Sequence, residues 1–116
     1  NTRLESRQGS VTLFNALNGT PLAIMDAGQI TAIRTAAVSG LATRILAKKN
    51  SKILAILGSG IQARTHIEAM TTILNLEEIR VWSKNKKNAK KLVEEQRKKY
   101  AKAANATTRE KICPTG

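Results

Sequence analysis

Residues 58 to 63 read Gly58-Ser59-Gly60-Ile61-Gln62-Ala63, a G-x-G-x-x-A pattern that directly follows the apolar run Ile53-Leu54-Ala55-Ile56-Leu57. That spacing suits one chemistry above others, the holding of a pyrophosphate. The first glycine allows a tight turn, and the second lets the backbone approach the phosphates. The third small position, Ala63, lets the helix pack closely on the strand. The N–H groups of the first helical turn then face the anion, with the positive end of the helix dipole behind them. The motif acquires meaning only if a strand precedes it and a helix follows it. A plain glycine-rich turn that holds nothing is the alternative.

A second group of residues bears on the same chemistry. In a βαβ dinucleotide site an acid about 20 residues beyond the glycines binds the ribose 2′-hydroxyl and selects NAD. Here the corresponding place reads Ser83-Lys84-Asn85, followed by Lys86 and Lys87, with no carboxylate. A hydroxyl, an amide and an ammonium would hold a 2′-phosphate that a carboxylate would repel, so the pattern leans to NADPH, with NAD as the alternative. Lys84 as an ordinary exposed lysine is the other reading. His66, the single histidine, has no carboxylate or cysteine at ligand spacing and reads as a solvent-facing or packing residue. Cys113 precedes a proline without a nearby histidine, which argues against a nucleophile. No metal site is expected.

These residues need elements to position them. Residues 11 to 14 and 21 to 25 are two short apolar runs around Asn18-Gly19, a pair that suits a two-residue type I′ hairpin turn. Such a hairpin would gather Val11, Leu13, Leu22 and Ile24 on one apolar face. From Ile30 the apolar residues Ile30, Ile33, Ala37, Val38, Leu41 and Ile45 follow a helical period, with Asp26 or Thr31 as a cap. Residues 52 to 57 form a continuous apolar run, the pattern of a strand buried on both faces in a parallel sheet. Residues 62 to 74 are helical, with Ile61, Ile67, Met70 and Leu74 on one face. Residues 78 to 83 alternate as a second strand, and residues 86 to 103 form a third helix that buries Ala89, Leu92, Val93 and Tyr100. The Ile112-Cys113-Pro114 stretch suits at best the start of a third strand. The predicted class is α/β: a partial Rossmann-like βαβα unit preceded by a β-hairpin and a long helix.

Composition narrows the classes. At 116 residues the chain is at most one domain, small for an enzyme, with 41% hydrophobic and 3% aromatic residues. No apolar run approaches the roughly 20 residues that span a bilayer. A single cysteine and the absence of a basic-then-apolar leader fit a cytoplasmic protein, and the Asn18 and Asn105 sequons then read as turn and helix-end residues. The net charge of +12 is concentrated between Lys84 and Lys102, where nine basic residues face Glu94 and Glu95. Few aromatics interleave to stack bases, so the run reads as a solvated lysine face and no nucleic-acid partner is expected. No membrane partner is expected either.

The stretches "NGTPLAIMDAGQITAIRTAAVSGLAT", "ILGSGIQA" and "IRVWSKNKKNA" together resemble the ornithine cyclodeaminase/mu-crystallin family, and more closely its mu-crystallin branch. The resemblance covers residues 11 to 92, and its I-T-A-x-R-T-A-A-V-S block is far more specific than the glycine motif. Family members are much longer. A substrate and dimerisation domain, built from both ends of their chain, accompanies an inserted Rossmann domain. The resemblance therefore implies that residues 1–29 end a substrate-domain segment, 30–50 form a connecting helix, and 51–116 open the nucleotide domain. It implies Arg34 near the cofactor phosphates and the substrate carboxylate, with Thr35 beside it. It also implies cofactor contacts from Gly58, Ser59, Gly60, Ile61 and Gln62, and a 2′-phosphate cluster at Ser83, Lys84 and Asn85. Lysine stands there where the branch carries arginine, which keeps the charge and loses the planar fork. The implied activity is NADPH-dependent reduction of a cyclic imino acid by a homodimeric full-length form. Ornithine cyclodeamination with NAD, or a non-enzymatic crystallin that binds thyroid hormone, are the alternatives. The family's substrate-binding lysine and catalytic aspartate would lie in segments outside these residues, so this partial chain is expected to be inactive alone and no catalytic residue is assigned.

Overall fold

The computed structural model describes residues 8–100 and 107–109. It contains β1 (Ser10–Phe14), β2 (Pro21–Asp26), α1 (Ala27–Leu46), β3 (Ile53–Leu57), α2 (Ile61–Ile73), β4 (Glu78–Trp82), α3 (Lys86–Tyr100) and β5 (Thr107–Arg109). β1 and β2 form an antiparallel pair, while β3, β4 and β5 form a parallel sheet in that order. The third strand lies at Thr107–Arg109, and the Ile112-Cys113-Pro114 stretch lies outside the described residues, as do the side chain of Tyr100 and the Asn105 sequon. No helix among the described residues is long and apolar enough to cross a membrane.

The core lies between one face of the parallel sheet and helices α2 and α3. Leu54 pairs with Ile79 and Ile56 with Val81 in register, and these four meet Ala63, Ile67, Met70, Ala89, Leu92 and Val93. Period-2 alternation in the strands and 3.6-residue spacing in the helices bring these residues together. Both crossover helices use the same face. Consequently β3 is not buried on both sides: its burial alternates, and Leu57 remains 83% exposed. The continuous apolar run fits a two-sided strand, but among the described residues no helix covers the second side.

The hairpin also departs from expectation. Only Gly19 has positive φ in the loop, at +73°. Asn15 N–H donates to the Thr20 carbonyl and Gly19 N–H to the Asn15 carbonyl, at 2.8 and 2.9 Å. The connection is therefore a longer loop than Asn18-Gly19 alone. Its pairing, Val11 with Met25 and Leu13 with Ala23, differs by one residue from that of a two-residue turn. A one-residue slip moves a whole strand to the other face. Val11 and Leu13 thus share a face with Ala23 and Met25, and Leu22 and Ile24 lie on the opposite one.

Helix α1 begins at Ala27, earlier than Ile30, because Asp26 Oδ1 accepts from the Gln29 N–H at 2.8 Å and caps it. The larger apolar residues that mark its period are not the face that packs: the small stripe Ala32, Ala36 and Gly40 is buried, and Ile33, Val38, Leu41 and Ile45 are exposed. A Cβ on Gly40 would meet Ala69 Cβ at 3.6 Å, so α1 approaches α2 through small side chains at i, i+4 and i+8. The helical period is right, and the face that packs is the small one.

Candidate functional site

The glycine corner joins the end of β3 to the start of α2. Gly58 has φ of +122°, a conformation open to glycine and strained for other residues. Its N–H donates to the Trp82 carbonyl at 2.7 Å, which ties the corner to the end of β4. Gly60 is the N-cap of α2, with φ −82° and ψ −167°, and no side chain caps the helix. Any residue adopts that extended backbone, and a Cβ on Gly60 would meet nothing within 4 Å. The fold itself therefore does not require glycine at this position. A group approaching the uncapped N–H groups from outside would require it. Ala63, the third small position, is buried in the core below.

The two sequence signals meet directly. Ser59 and Ser83, 24 residues apart, share a hydroxyl–hydroxyl hydrogen bond of 2.8 Å. Beyond Ser83, the exposed residues Lys84, Asn85, Lys86 and Lys87 line an open depression of about 640 Å³. Asn85 has a structural duty as well: its Oδ1 accepts from the Asn88 N–H at 3.2 Å at the start of α3, which leaves its amino group as a donor. The depression is lined by three ammonium groups and a helix start, so it attracts anions.

The residues fit a dinucleotide on three observations of this structure. The helix start is uncapped, Gly60 is open where a Cβ would stand, and Gln62 Oε1 is buried without a hydrogen-bond partner among the described residues. Ile61 is half exposed beside it.

Arg34 is exposed on α1, and its guanidinium makes no hydrogen bond or ion pair among the described residues. Thr35 is half-buried, and its hydroxyl donates to the Thr31 carbonyl at 2.7 Å. Neither touches the corner through a hydrogen bond. A link that sequence reasoning missed connects their helix to it. His66 Nδ1 donates to the Gln62 carbonyl at 2.7 Å, and its Nε2 accepts from the Ser39 hydroxyl at 3.0 Å in the neutral ring. His66 is thus a packing residue that fastens α1 to the first turn of α2. Arg64, also unremarked in the sequence, holds the Ser59 carbonyl at 3.1 Å and the Glu95 carboxylate at 2.9 Å. Its only advance signal is its position one turn into α2. On the sheet, the Glu78 carboxylate hydrogen-bonds Arg80 and raises the Arg80 pKa. No group of three or more His, Cys, Asp or Glu residues that could hold a metal is found among the described residues.

Comparison with known proteins places this corner in a lineage. The model of the ornithine cyclodeaminase/mu-crystallin family matches residues 1–112. The chain belongs to that family. It is 47% identical over 91 residues to ketimine reductase mu-crystallin of Mus musculus, covering 78% of this chain and 29% of the mouse protein. Among solved structures, it is similar to the Thermococcus litoralis Δ1-pyrroline-2-carboxylate reductase solved with NADH and L-proline. That match has a TM-score of 0.80 and 43% identity, covering 89% of this chain and 31% of that one. An archaeal alanine dehydrogenase dimer with bound NAD gives a TM-score of 0.82 at 29% identity, covering 97% of this chain and 33% of that one. The chain thus spans about three tenths of the length of these relatives. The hairpin and α1 stand before the parallel unit, and none of their residues belongs to its core cluster.

Proposed function

We propose that this chain forms the nucleotide-binding part of an NADPH-dependent reductase of cyclic imino acids. The observation that carries the reading is the 2.8 Å bridge between Ser59 and Ser83. It joins the pyrophosphate corner to the residues that would select the ribose phosphate. The substrate class is supported by the mouse ketimine reductase and by the Thermococcus litoralis reductase solved with L-proline.

When bound, the reduced nicotinamide supplies a hydride to the C=N carbon of the imine. The chain's own residues bind and orient. The N–H groups of Gly60, Ile61 and Gln62, at the uncapped start of α2, hold the pyrophosphate. Ser83, Lys84 and the amino group of Asn85 hold the 2′-phosphate. Arg34, whose guanidinium is exposed on α1, pairs with the substrate carboxylate through charge-assisted hydrogen bonds, and Thr35 supports the same turn of α1.

The related proteins were solved with NADH or NAD, so the preference for the phosphorylated cofactor rests on the lysine-lined depression. A lysine cyclodeaminase structure, 29% identical with a TM-score of 0.69, supports an NAD-dependent cyclodeaminase as the second reading. The lack of an acid after β4 weighs against it. The rest of the imino-acid pocket, and the surface through which the full-length form dimerises, belong in this reading to segments that the longer relatives carry. Without an opposite wall the substrate is neither oriented nor shielded from water.

The test is a turnover assay with NADPH and a cyclic ketimine, run on these 116 residues and on a form extended to family length. The extended form is expected to turn over and the 116-residue chain to bind nucleotide without turnover. Equal rates would overturn the division of labour. Turnover of ornithine with NAD, but not of the ketimine, would favour the second reading.

A further inference from the structure

Helices α2 and α3 are joined by two ion pairs one helical turn apart. Arg64 meets Glu95, with Nε and Nη2 both 2.9 Å from Oε2. Lys99 meets Glu68 at 3.0 Å. Both are partly exposed, and such pairs contribute little to stability by themselves. They differ in one respect. Arg64 Nη1 also donates to the Ser59 carbonyl at 3.1 Å, whereas no hydrogen bond of Glu68 to the glycine corner is found among the described residues.

That carbonyl matters because of peptide geometry. The Ser59 C=O and the Gly60 N–H belong to one planar trans peptide, so they point in opposite directions. Drawing the oxygen towards Arg64 turns the Gly60 N–H away from the Arg64 guanidinium. The Ser59 side chain is held at the same time by the Ser83 hydroxyl at 2.8 Å. Ser59 is therefore fixed at its carbonyl by α3, through Arg64 and Glu95, and at its hydroxyl by the end of β4.

We propose that Arg64 is a positioning residue for the nucleotide corner. Anchored on Glu95, it sets the Ser59–Gly60 peptide so that the Gly60 N–H is aimed at the pyrophosphate before the nucleotide arrives. The proposal rests on the nucleotide reading above. Arg64 acts through the peptide: three of its five N–H donors are engaged by Glu95 and the Ser59 carbonyl. The anchoring helix also carries Lys86 and Lys87, so the same strut fixes the depression relative to the corner.

The experiment compares the wild-type chain with Arg64→Lys and Glu68→Gln. NADPH affinity, the unfolding midpoint and the amide resonances of Gly60 and Ile61 without nucleotide are measured for each. Lysine keeps the charge beside Glu95 but cannot hold both partners with one planar fork. Arg64→Lys is expected to shift the Gly60 amide and weaken NADPH about tenfold, the size of one charge-assisted hydrogen bond lost or misaimed. Glu68→Gln, which removes an ion pair between the same helices, is expected to leave affinity and the Gly60 amide unchanged, with a similar small change in midpoint. Equal loss of affinity in both variants would make Arg64 a mere pin between helices and overturn the proposal. Wild-type affinity in Arg64→Lys would overturn it too. If the wild-type chain binds neither NADPH nor NADH, the nucleotide reading itself falls, and the positioning role falls with it.

Discussion

Gly60→Thr is expected to leave the chain folded and to weaken NADPH binding by about a hundredfold. The folded state tolerates the change for two reasons. Gly60 sits in extended backbone, and nothing stands within 4 Å of a Cβ built there. Threonine is also about as good an N-cap as glycine. The ligand does not tolerate it, because the added atoms occupy the space through which phosphate oxygens reach the N–H groups of α2. Two hydrogen bonds to a charged group, at about 1.5 kcal/mol or more each, correspond to roughly that hundredfold loss. Gly58→Ala should show the opposite pattern. With φ at +122°, alanine there is strained by about 1–3 kcal/mol, so thermal denaturation should reveal lost stability. The two substitutions should thus separate glycines two residues apart, one required by the backbone and the other, on the proposed function, by the ligand.

The second large effect concerns the choice of cofactor. Lys84→Asp should reverse the preference from NADPH to NADH. Lys84 is exposed beside Asn85, Lys86 and Lys87 in the open depression. The substitution removes an attraction for the 2′-phosphate and adds a repulsion of similar size. At a partly screened surface site each is worth about 1–2 kcal/mol. The ratio of the two affinities should therefore move by roughly a hundredfold, almost all of it through NADPH. Competition of each nucleotide with a common fluorescent analogue measures that ratio. A variant that loses both nucleotides equally would mean that Lys84 does not meet the 2′-phosphate.

What the sequence displayed openly were features written in local chemistry. The glycine corner, Ala63 beneath it and the Asp26 cap are each set by a single residue's backbone or size, and each stands where its residue type demands. The α2 and α3 core positions Ile67, Met70, Ala89, Leu92 and Val93 follow the helical period to the buried face. Features that depend on a partner were less legible. The hairpin faces turn on a one-residue difference in loop length, which Asn18-Gly19 alone does not fix. In α1 two stripes compete. The larger apolar residues suggest the core, yet the small stripe allows the closer approach to α2 and is the one buried. For β3, the apolar run says that both sides avoid water without saying which elements cover them. Within the site, the meeting of Ser59 with Ser83 follows from the motif's geometry, but the Arg64–Glu95 strut and the His66–Ser39 clasp join residues 31 and 27 apart with no local pattern to announce them.

The central claim, that this corner holds NADPH, is tested most directly by the fluorescence of Trp82, the single tryptophan. Its carbonyl accepts from the Gly58 N–H at 2.7 Å, so the residue stands at the junction of the corner and β4, and its emission overlaps the absorption of a reduced nicotinamide. Titration of the chain with NADPH and with NADH should give saturable quenching for both, with NADPH binding the more tightly. No saturable change with either nucleotide would contradict the account.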